Sequence, residues 1–283
     1  MSDPVRAIAD AVLYEGYVLW PYRRSAMKNR QRWTFGGVYP PAWNEEHPDD
    51  RSAVRVEVVC EGDLDVRVRF LQVVRRQVEL HGEPVDEANG HLSWEEARER
   101  EAGPGRFSIP AGSEREDAGD GVAIVRSWDG LEGVVEVDGA VVTVRNETPF
   151  TGGTRDEALE RTFCSLHAVL RAESFVSGTD PRYEGCRSDG LWPVLVEDSV
   201  MLASPIILED HPRIAPESPG DLFDGGEIDQ MLVLNILALT DEEKAEMRAS
   251  DPRAREILER TEALTPEQLM RLSGRLTDLS RVP

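Results

Sequence analysis

Alternation of apolar and polar residues with a period of two is the strongest pattern in the first 150 residues. It runs through AVRVEVVCEGDLDVRVRFLQVV on both sides of Gly62 and Asp63, which predicts a half-buried antiparallel hairpin over about residues 53–80. The pattern returns in GVAIVRSW and LEGVVEVDGAVVTVRNETP, where Asp-Gly at 138 and 139 is typical of a type I′ turn and predicts a hairpin over about residues 121–147. These segments together predict an antiparallel β-sandwich or an open barrel of hairpins.

After residue 150 the apolar residues change to the spacing that is typical of a helix. Apolar residues recur three or four positions apart behind Thr154, a good N-cap, which predicts one packed helix over about residues 154–171. Further along, WPVLV and VMLASPIIL read as two strands around an acidic turn. Between the two hairpins, Ser93 and Glu96 form a potential capping box that predicts at most a short polar helix in WEEARERE.

The C-terminal part is predicted to be helical from Thr240 onwards. TDEE at 240–243 is a capping box, Pro252 suits a first helical turn, and Thr265 opens a further helical segment. The apolar run over residues 231–239 suits a buried strand or a helix, and we favour a strand. The predicted fold class is α+β and mainly β, with a β-rich domain over residues 1–239 and a helical extension over 240–283.

Composition narrows the class of protein. The 283 residues with 40% hydrophobic content are enough for a sizeable core, and the net charge of −22 argues against nucleic-acid binding. No run approaches the roughly 18 to 20 apolar residues of a membrane span, and the N-terminus lacks a signal-peptide pattern, so we expect a cytoplasmic protein that does not bind membranes. Three cysteines that lie far apart suit free thiols in a reducing compartment.

An acidic stretch, SPIILEDHPRIAPESPGDLFDGGEID over residues 204–229, is a candidate metal loop. Hard cations take several oxygen ligands from flexible loops that contain glycine. Its spacing does not match an EF-hand, however, and a single histidine weakens a case for a transition metal. We favour solvated loop acids and keep a metal-binding protein or metal-dependent enzyme as the alternative. The candidate metal ligands, with Asp210 as a neighbour, are His211, Asp221, Asp224 and Glu227.

Other reactive centres are weakly indicated. Cys164 and His167 would share a helical face, with Cys186 as a possible third ligand, but a buried free cysteine is an ordinary small hydrophobe and we favour that structural interpretation. The sequence contains no G-x-S-x-G, no P-loop, no G-x-G-x-x-G, no H-E-x-x-H and no C-x-x-C. We therefore predict no cofactor and no catalytic residue, and an enzyme is not favoured.

Two segments carry opposite charge. Residues 20–33 hold five basic residues and no acid, whereas residues 209–229 hold seven acids and one arginine. Such segments suit docking on each other or on a protein partner. For the aromatic residues Trp20, Tyr22, Trp33 and Phe35 we favour a place in the core, and we assign partner binding chiefly to the basic residues. The predicted partner-binding residues are Tyr22, Arg23, Arg24, Lys28, Arg30 and Arg32.

Several phrases also resemble one protein family. They are LYEGYVLWPYRRSAMKNRQRWTFG, VRVRFLQVVRRQV, WPVLV, SPIILEDHPRIAPESPGDLFDGGEIDQML and LTDEEKAEMRASDPRAREILER. They look like an uncharacterised family encoded beside high-affinity, actinobacterial-type nickel-iron uptake hydrogenases. The resemblance implies a role in making, assembling or supporting that hydrogenase in a bacterial cytoplasm, with a hydrogenase subunit or precursor as the partner. Since histidine-rich tracts, P-loops and C-x-x-C are absent, it implies a scaffold or chaperone-like binder.

Overall fold

The computed structural model describes residues 3–15, 17, 32–33, 35–213 and 233–265. The described residues form two compact units, and the last boundary between them along the chain lies after residue 212, whereas the sequence predicts a boundary at residue 239. Among the described residues, the larger unit holds 12–15, 17, 32–33 and 35–212, and the smaller unit holds 3–11, 213 and 233–265. Within this described part, no helix has the length and apolar character needed to cross a bilayer.

The helices are α1 (Asp3–Tyr14), α2 (Pro41–Glu46), α3 (Arg155–Leu159), α4 (Asp241–Ser250) and α5 (Pro252–Glu262). The strands of the first half are β1 (Ala53–Glu57), β2 (Cys60–Glu61), β3 (Asp65–Leu80), β4 (Glu83–Val85), β5 (Glu87–Ala88), β6 (His91–Leu92), β7 (Trp94–Ala102) and β8 (Gly105–Ile109). The later strands are β9 (Gly112–Gly119), β10 (Val122–Trp128), β11 (Leu131–Asp138), β12 (Val141–Asn146), β13 (Cys164–Arg171), β14 (Ser174–Phe175), β15 (Trp192–Glu197) and β16 (Val200–Ser204).

The larger unit contains two large antiparallel sheets and two small two-stranded ones, β14-β2 and β5-β6, among the described residues. Of the two large sheets, the smaller has the order β1-β12-β11-β8, and the larger has the order β15-β16-β13-β3-β10-β9, with β4 and β7 also paired to β3. Apolar side chains from both sheets share one core, so the sheets pack face to face as in a sandwich. This confirms the predicted α+β, mainly β class. The core includes Val54, Val56, Val135, Val142 and Val144 from the smaller sheet and Val66, Val68, Phe70, Leu166, Leu170 and Met201 from the larger.

The long strand β3 organises the larger sheet. Its residues 65–71 pair with β13 and its residues 75–80 with β10, while β7 runs along residues 68–76 on the other edge. The hairpin predicted over 53–80 is therefore wrong in its pairing, because β1 pairs with β12 in the other sheet. Alternation with a period of two predicts which face a residue points to, but it carries no information about the neighbouring strand.

The second predicted hairpin is correct for β11 and β12, while β10 belongs to the larger sheet. Asp138 pairs with Val141, so the two loop residues are Gly139 and Ala140. Only the first of them has a positive φ, 57°, as in a type II′ turn rather than the predicted type I′ turn. The predicted pair of strands around the acidic turn is confirmed as β15 and β16.

The helix predicted over 154–171 is wrong beyond Leu159. Thr154 caps α3 with a complete capping box, but α3 ends after five residues and residues 164–171 form β13. Residues 164–170 are buried throughout, and β13 pairs with β3 on one edge and, over residues 168–171, with β16 on the other. A strand that is buried on both faces carries a nearly continuous apolar run, which also satisfies helical spacing.

Two shorter predictions are also corrected. WEEARERE is part of β7, because nine consecutive backbone pairs with β3 outweigh a weak local capping signal. Residues 233–237 are helical and not the favoured strand, with Val233 and Ile236 buried one turn apart.

The C-terminal helices are confirmed where they are described. Thr240 and Glu243 form the capping box of α4, and α5 begins at Pro252 behind the N-cap Asp251. The segment that the sequence predicts to begin near Thr265 lies outside the described residues from Pro266 onwards. The smaller unit has its own small core of Ile236, Met247, Ala254 and Leu258.

Candidate functional site

One edge of β13 pairs with two chain segments, one that follows the basic segment in the sequence and one that precedes the acids at 209–229. Residues 168–171 pair with β16, and residues 163–166 pair with residues 35–38 on the same edge. Val38 and Phe163 exchange backbone hydrogen bonds of 3.0 and 3.1 Å, and the Leu166 N–H donates to the Gly36 carbonyl at 2.9 Å. Because both partners run antiparallel to β13, the end of β16 meets the start of the segment 35–38.

The contact at this meeting point is tight. Gly36 has a φ of 57°, and a Cβ atom placed on it would lie 2.8 Å from the Cβ of Pro205 and 3.1 Å from the Leu166 nitrogen. Only glycine fits such a position without displacing the neighbouring chain. We call residues 35–36 and 205–207 the junction. The basic segment precedes the junction in the sequence, and the acidic stretch begins one residue before Pro205.

Three of the exposed apolar residues belong to the junction or to the strand pair directly before it. In the described part of the larger unit, the large apolar residues that are exposed are Phe35 (41%), Leu80 (36%), Trp192 (36%) and Ile207 (74%). Phe35 and Ile207 belong to the junction, and Trp192 pairs with Ser204 directly before it. We call Phe35, Trp192 and Ile207 the apolar patch. An exposed apolar group of this kind is typical of a binding surface.

Arg32, a predicted partner-binding residue, is buried against β7. Its Nη2 atom donates to the backbone carbonyl of Glu95 at 2.9 Å and to the Glu95 carboxylate at 3.2 Å. The guanidinium also lies over the Trp94 ring, 4.1 Å from its centroid, and Trp33 beside it is buried. Arg32 therefore anchors the end of the basic segment to the edge of the sheet.

The other residues predicted for the core or for partner binding in this region have different outcomes. Trp33 has the core place that we favoured, whereas Phe35 is exposed. The other predicted partner-binding residues lie outside the described residues, so their role stays a prediction. They are Tyr22, Arg23, Arg24, Lys28 and Arg30.

Asp210 and His211 bind the backbone of β15. The Leu195 N–H donates to Asp210 Oδ1 at 2.8 Å, and the His211 N–H donates to the Leu195 carbonyl at 2.6 Å. The other Asp210 oxygen accepts from the Ser177 hydroxyl. His211 Nδ1 lies 3.3 Å from the Val196 carbonyl, to which it donates. In this arrangement the two residues close the outer edge of β15.

The predicted metal ligands other than His211 are not described. Asp221, Asp224 and Glu227 lie outside the described residues. Across the residues that the structure does describe, no cluster of three or more His, Cys, Asp or Glu side chains is placed to hold a metal ion. In the described structure, Asp210 and His211 therefore make a structural contact with β15.

Cys164 and His167 lie at a bulge in β13 and not on a helical face. The pairing register shifts between them, where Ser165 has a φ of 51°. Burial raises the pKa of the Cys164 thiol far above its ordinary value, which keeps the thiol protonated and unreactive. Burial, with a smaller contribution from Arg69, lowers the pKa of His167 to about 3. These properties support the interior, structural role that we favoured.

The junction itself could not be located by sequence motifs. Gly36, Trp192 and Ile207 carry no signature, and only the opposite charges of the flanking segments pointed towards it. Comparison with protein-family models and with curated proteins finds no match for this chain.

Proposed function

We propose that this chain is a non-enzymatic accessory or assembly protein that binds another protein through the apolar patch. In line with the family resemblance, the proposed partner is a subunit or precursor of a nickel-iron hydrogenase in a bacterial cytoplasm. The observation that carries the proposal is the exposure of Phe35 and Ile207 in the junction and of Trp192, which pairs with Ser204 next to it.

The patch has the chemistry of an interface centre. Aromatic and large aliphatic side chains provide most of the binding free energy of protein interfaces when they are desolvated by a partner. The Phe35 carbonyl accepts from the Ser165 N–H on β13 and Trp192 pairs with Ser204 on β16, so these two residues need little ordering on binding. The segments that precede Phe35 and follow Ile207 in the sequence carry opposite charges, which favours one orientation of a partner that carries the complementary charges.

Binding to isolated hydrogenase subunits tests this proposal. The double variant Phe35→Ser, Ile207→Ser is expected to bind the partner at least about tenfold more weakly, since each lost anchor removes about 1–2 kcal/mol. Biolayer interferometry with the immobilised subunit measures the dissociation constant. Leu80→Ser is the matched control, because Leu80 is an exposed apolar residue of the same unit about nine residues, or about 30 Å, along β3 from the junction.

Wild-type affinity of the double variant, or an equal loss of affinity for the Leu80 variant, would contradict the proposal.

The same binding assay tests the role of the basic segment. Replacing Arg23, Arg24 and Arg30 with glutamate is expected to slow association and to reverse its dependence on salt. An unchanged association rate would show that these arginines do not belong to the proposed interface. The role of the apolar patch is tested separately by the Phe35 and Ile207 substitutions.

A further inference from the structure

A network of arginines and glutamates lies on part of one face of the larger sheet. Arg76 donates to the Glu96 carboxylate at 2.7 Å, and Arg126 donates to Glu96 and to Glu116, both at 2.7 Å. Arg98 on β7 also reaches across β3 and β10, and it donates to Glu114 on β9 at 2.6 Å. Three arginines of this face therefore each have at least one carboxylate partner.

Arg100 on β7 belongs to the same face but has a different environment. Its Nε atom donates to the side-chain oxygen of Gln72 at 2.9 Å. Gln72 is fully buried and donates its own amide to the Asp129 carbonyl at 2.6 Å, which fixes the orientation of the amide. In the described part of the chain, no carboxylate lies within 4.0 Å of the Arg100 guanidinium.

The charge on Arg100 is poorly compensated. Partial burial, together with the neighbouring charge of Arg98, lowers the pKa of Arg100. Arg98 cannot easily turn away, because its guanidinium lies over the Trp128 ring at 4.1 Å from the centroid and holds Glu114. The network therefore combines four arginines with three glutamates, and its excess positive charge is concentrated at Arg98 and Arg100.

We propose that Arg98 and Arg100 form a binding site for an oxyanion, either a carboxylate or a phosphate. A planar guanidinium presents parallel N–H donors that match both groups, and Gln72 occupies Nε, which leaves the terminal amino groups of Arg100 for the ligand. An oxyanion bound there would balance the excess charge of the network. This site is separate from the apolar patch and does not depend on the proposed function.

Titration of the whole chain with small anions tests the site. Inorganic phosphate and citrate are added in separate titrations at constant ionic strength, with chloride as the reference anion, and the Arg Nε–H and backbone amide signals are followed by NMR. A saturable shift of the Arg100 Nε–H signal and of the amides of residues 98–101 is expected with at least one of the two anions. The anion that causes it identifies the ligand as phosphate or carboxylate.

Matched variants separate this site from general electrostatics. Arg100→Gln is expected to weaken anion binding at least about tenfold, the loss of one charge-assisted hydrogen bond of about 1.4 kcal/mol or more. Arg115→Gln removes the same charge from an exposed arginine that pairs with Glu79, and it is expected to leave binding unchanged. The absence of saturable shifts in the wild-type protein, or an equal effect of the two variants, would overturn the proposal.

Discussion

His167 is a fully buried histidine that the fold holds in its neutral form. Its Nδ1–H donates to the Ser165 carbonyl at 3.3 Å, while Nε2 is buried without a hydrogen-bond partner. Since the carbonyl can only accept, Nδ1 carries the proton and Nε2 is the site of any second proton. Burial and the neighbouring Arg69 oppose that protonation, and they lower the pKa of His167 to about 3.

This pKa makes stability depend on pH in a defined window. The unfolded chain takes up a proton at His167 near pH 6.5, whereas the folded chain resists protonation down to about pH 3. The contribution of His167 is therefore complete above pH 6.5 and is lost as the pH falls towards 3. Between pH 7.5 and 5.5 we expect a loss of about 1.4 kcal/mol in the free energy of unfolding.

Urea unfolding at pH 7.5 and 5.5 measures this loss. His167→Gln removes the titrating group, so the decrease between the two pH values should be smaller than in the wild type by about the same 1.4 kcal/mol. Comparing each protein with itself at the two pH values cancels the packing change caused by the substitution. An identical decrease in both proteins would show that His167 does not titrate in this window.

At the scale of elements, the outer edge of β15 is closed by the beginning of the acidic stretch. Asp210 accepts from the Leu195 N–H, and the His211 N–H donates to the Leu195 carbonyl. An uncovered strand edge can pair with other chains, so a short polar cap protects it. Of the residues that the sequence suggests for metal chemistry, Asp210 and His211 therefore bind the backbone of β15 in the described structure.

Removal of the Asp210 side chain tests this role. Asp210→Ala leaves the Leu195 N–H and the Ser177 hydroxyl without their acceptor, which is expected to cost about 1–3 kcal/mol of stability and to speed hydrogen exchange at the Leu195 amide. Glu209→Ala is the matched control, because Glu209 is an exposed neighbour. Equal stability and equal exchange in the two variants would contradict the proposed cap.

Elements with local signals could be predicted from the sequence, and those defined by distant pairing could not. The capping boxes at Thr154 and Thr240 form as predicted, because the interacting groups are three residues apart. The strand over residues 164–171 is wrongly predicted as a helix, because its formation depends on backbone pairing with β3 and β16, which are distant in sequence. The misassigned hairpin over residues 53–80 has the same cause.

At the scale of the whole molecule, the sequence predicts the charged segments next to the candidate binding surface but not its exposed apolar residues. The opposite charges of residues 20–33 and 209–229 are a matter of composition and could be read directly. The exposure of Phe35, Trp192 and Ile207 is set by the register of two chain segments along one edge of β13. The aromatic residues in and next to the basic segment are predicted to lie in the core, and this prediction is wrong for Phe35, which is exposed.

Site-specific crosslinking tests the central claim of partner binding most directly. A photoreactive amino acid is placed at Ile207 in the apolar patch, or at Leu80 as the exposed control, and the chain is produced in bacteria together with the hydrogenase subunits. The account predicts a crosslinked product with a hydrogenase subunit from position 207 and none from position 80. No product from position 207, or equal products from the two positions, would contradict it.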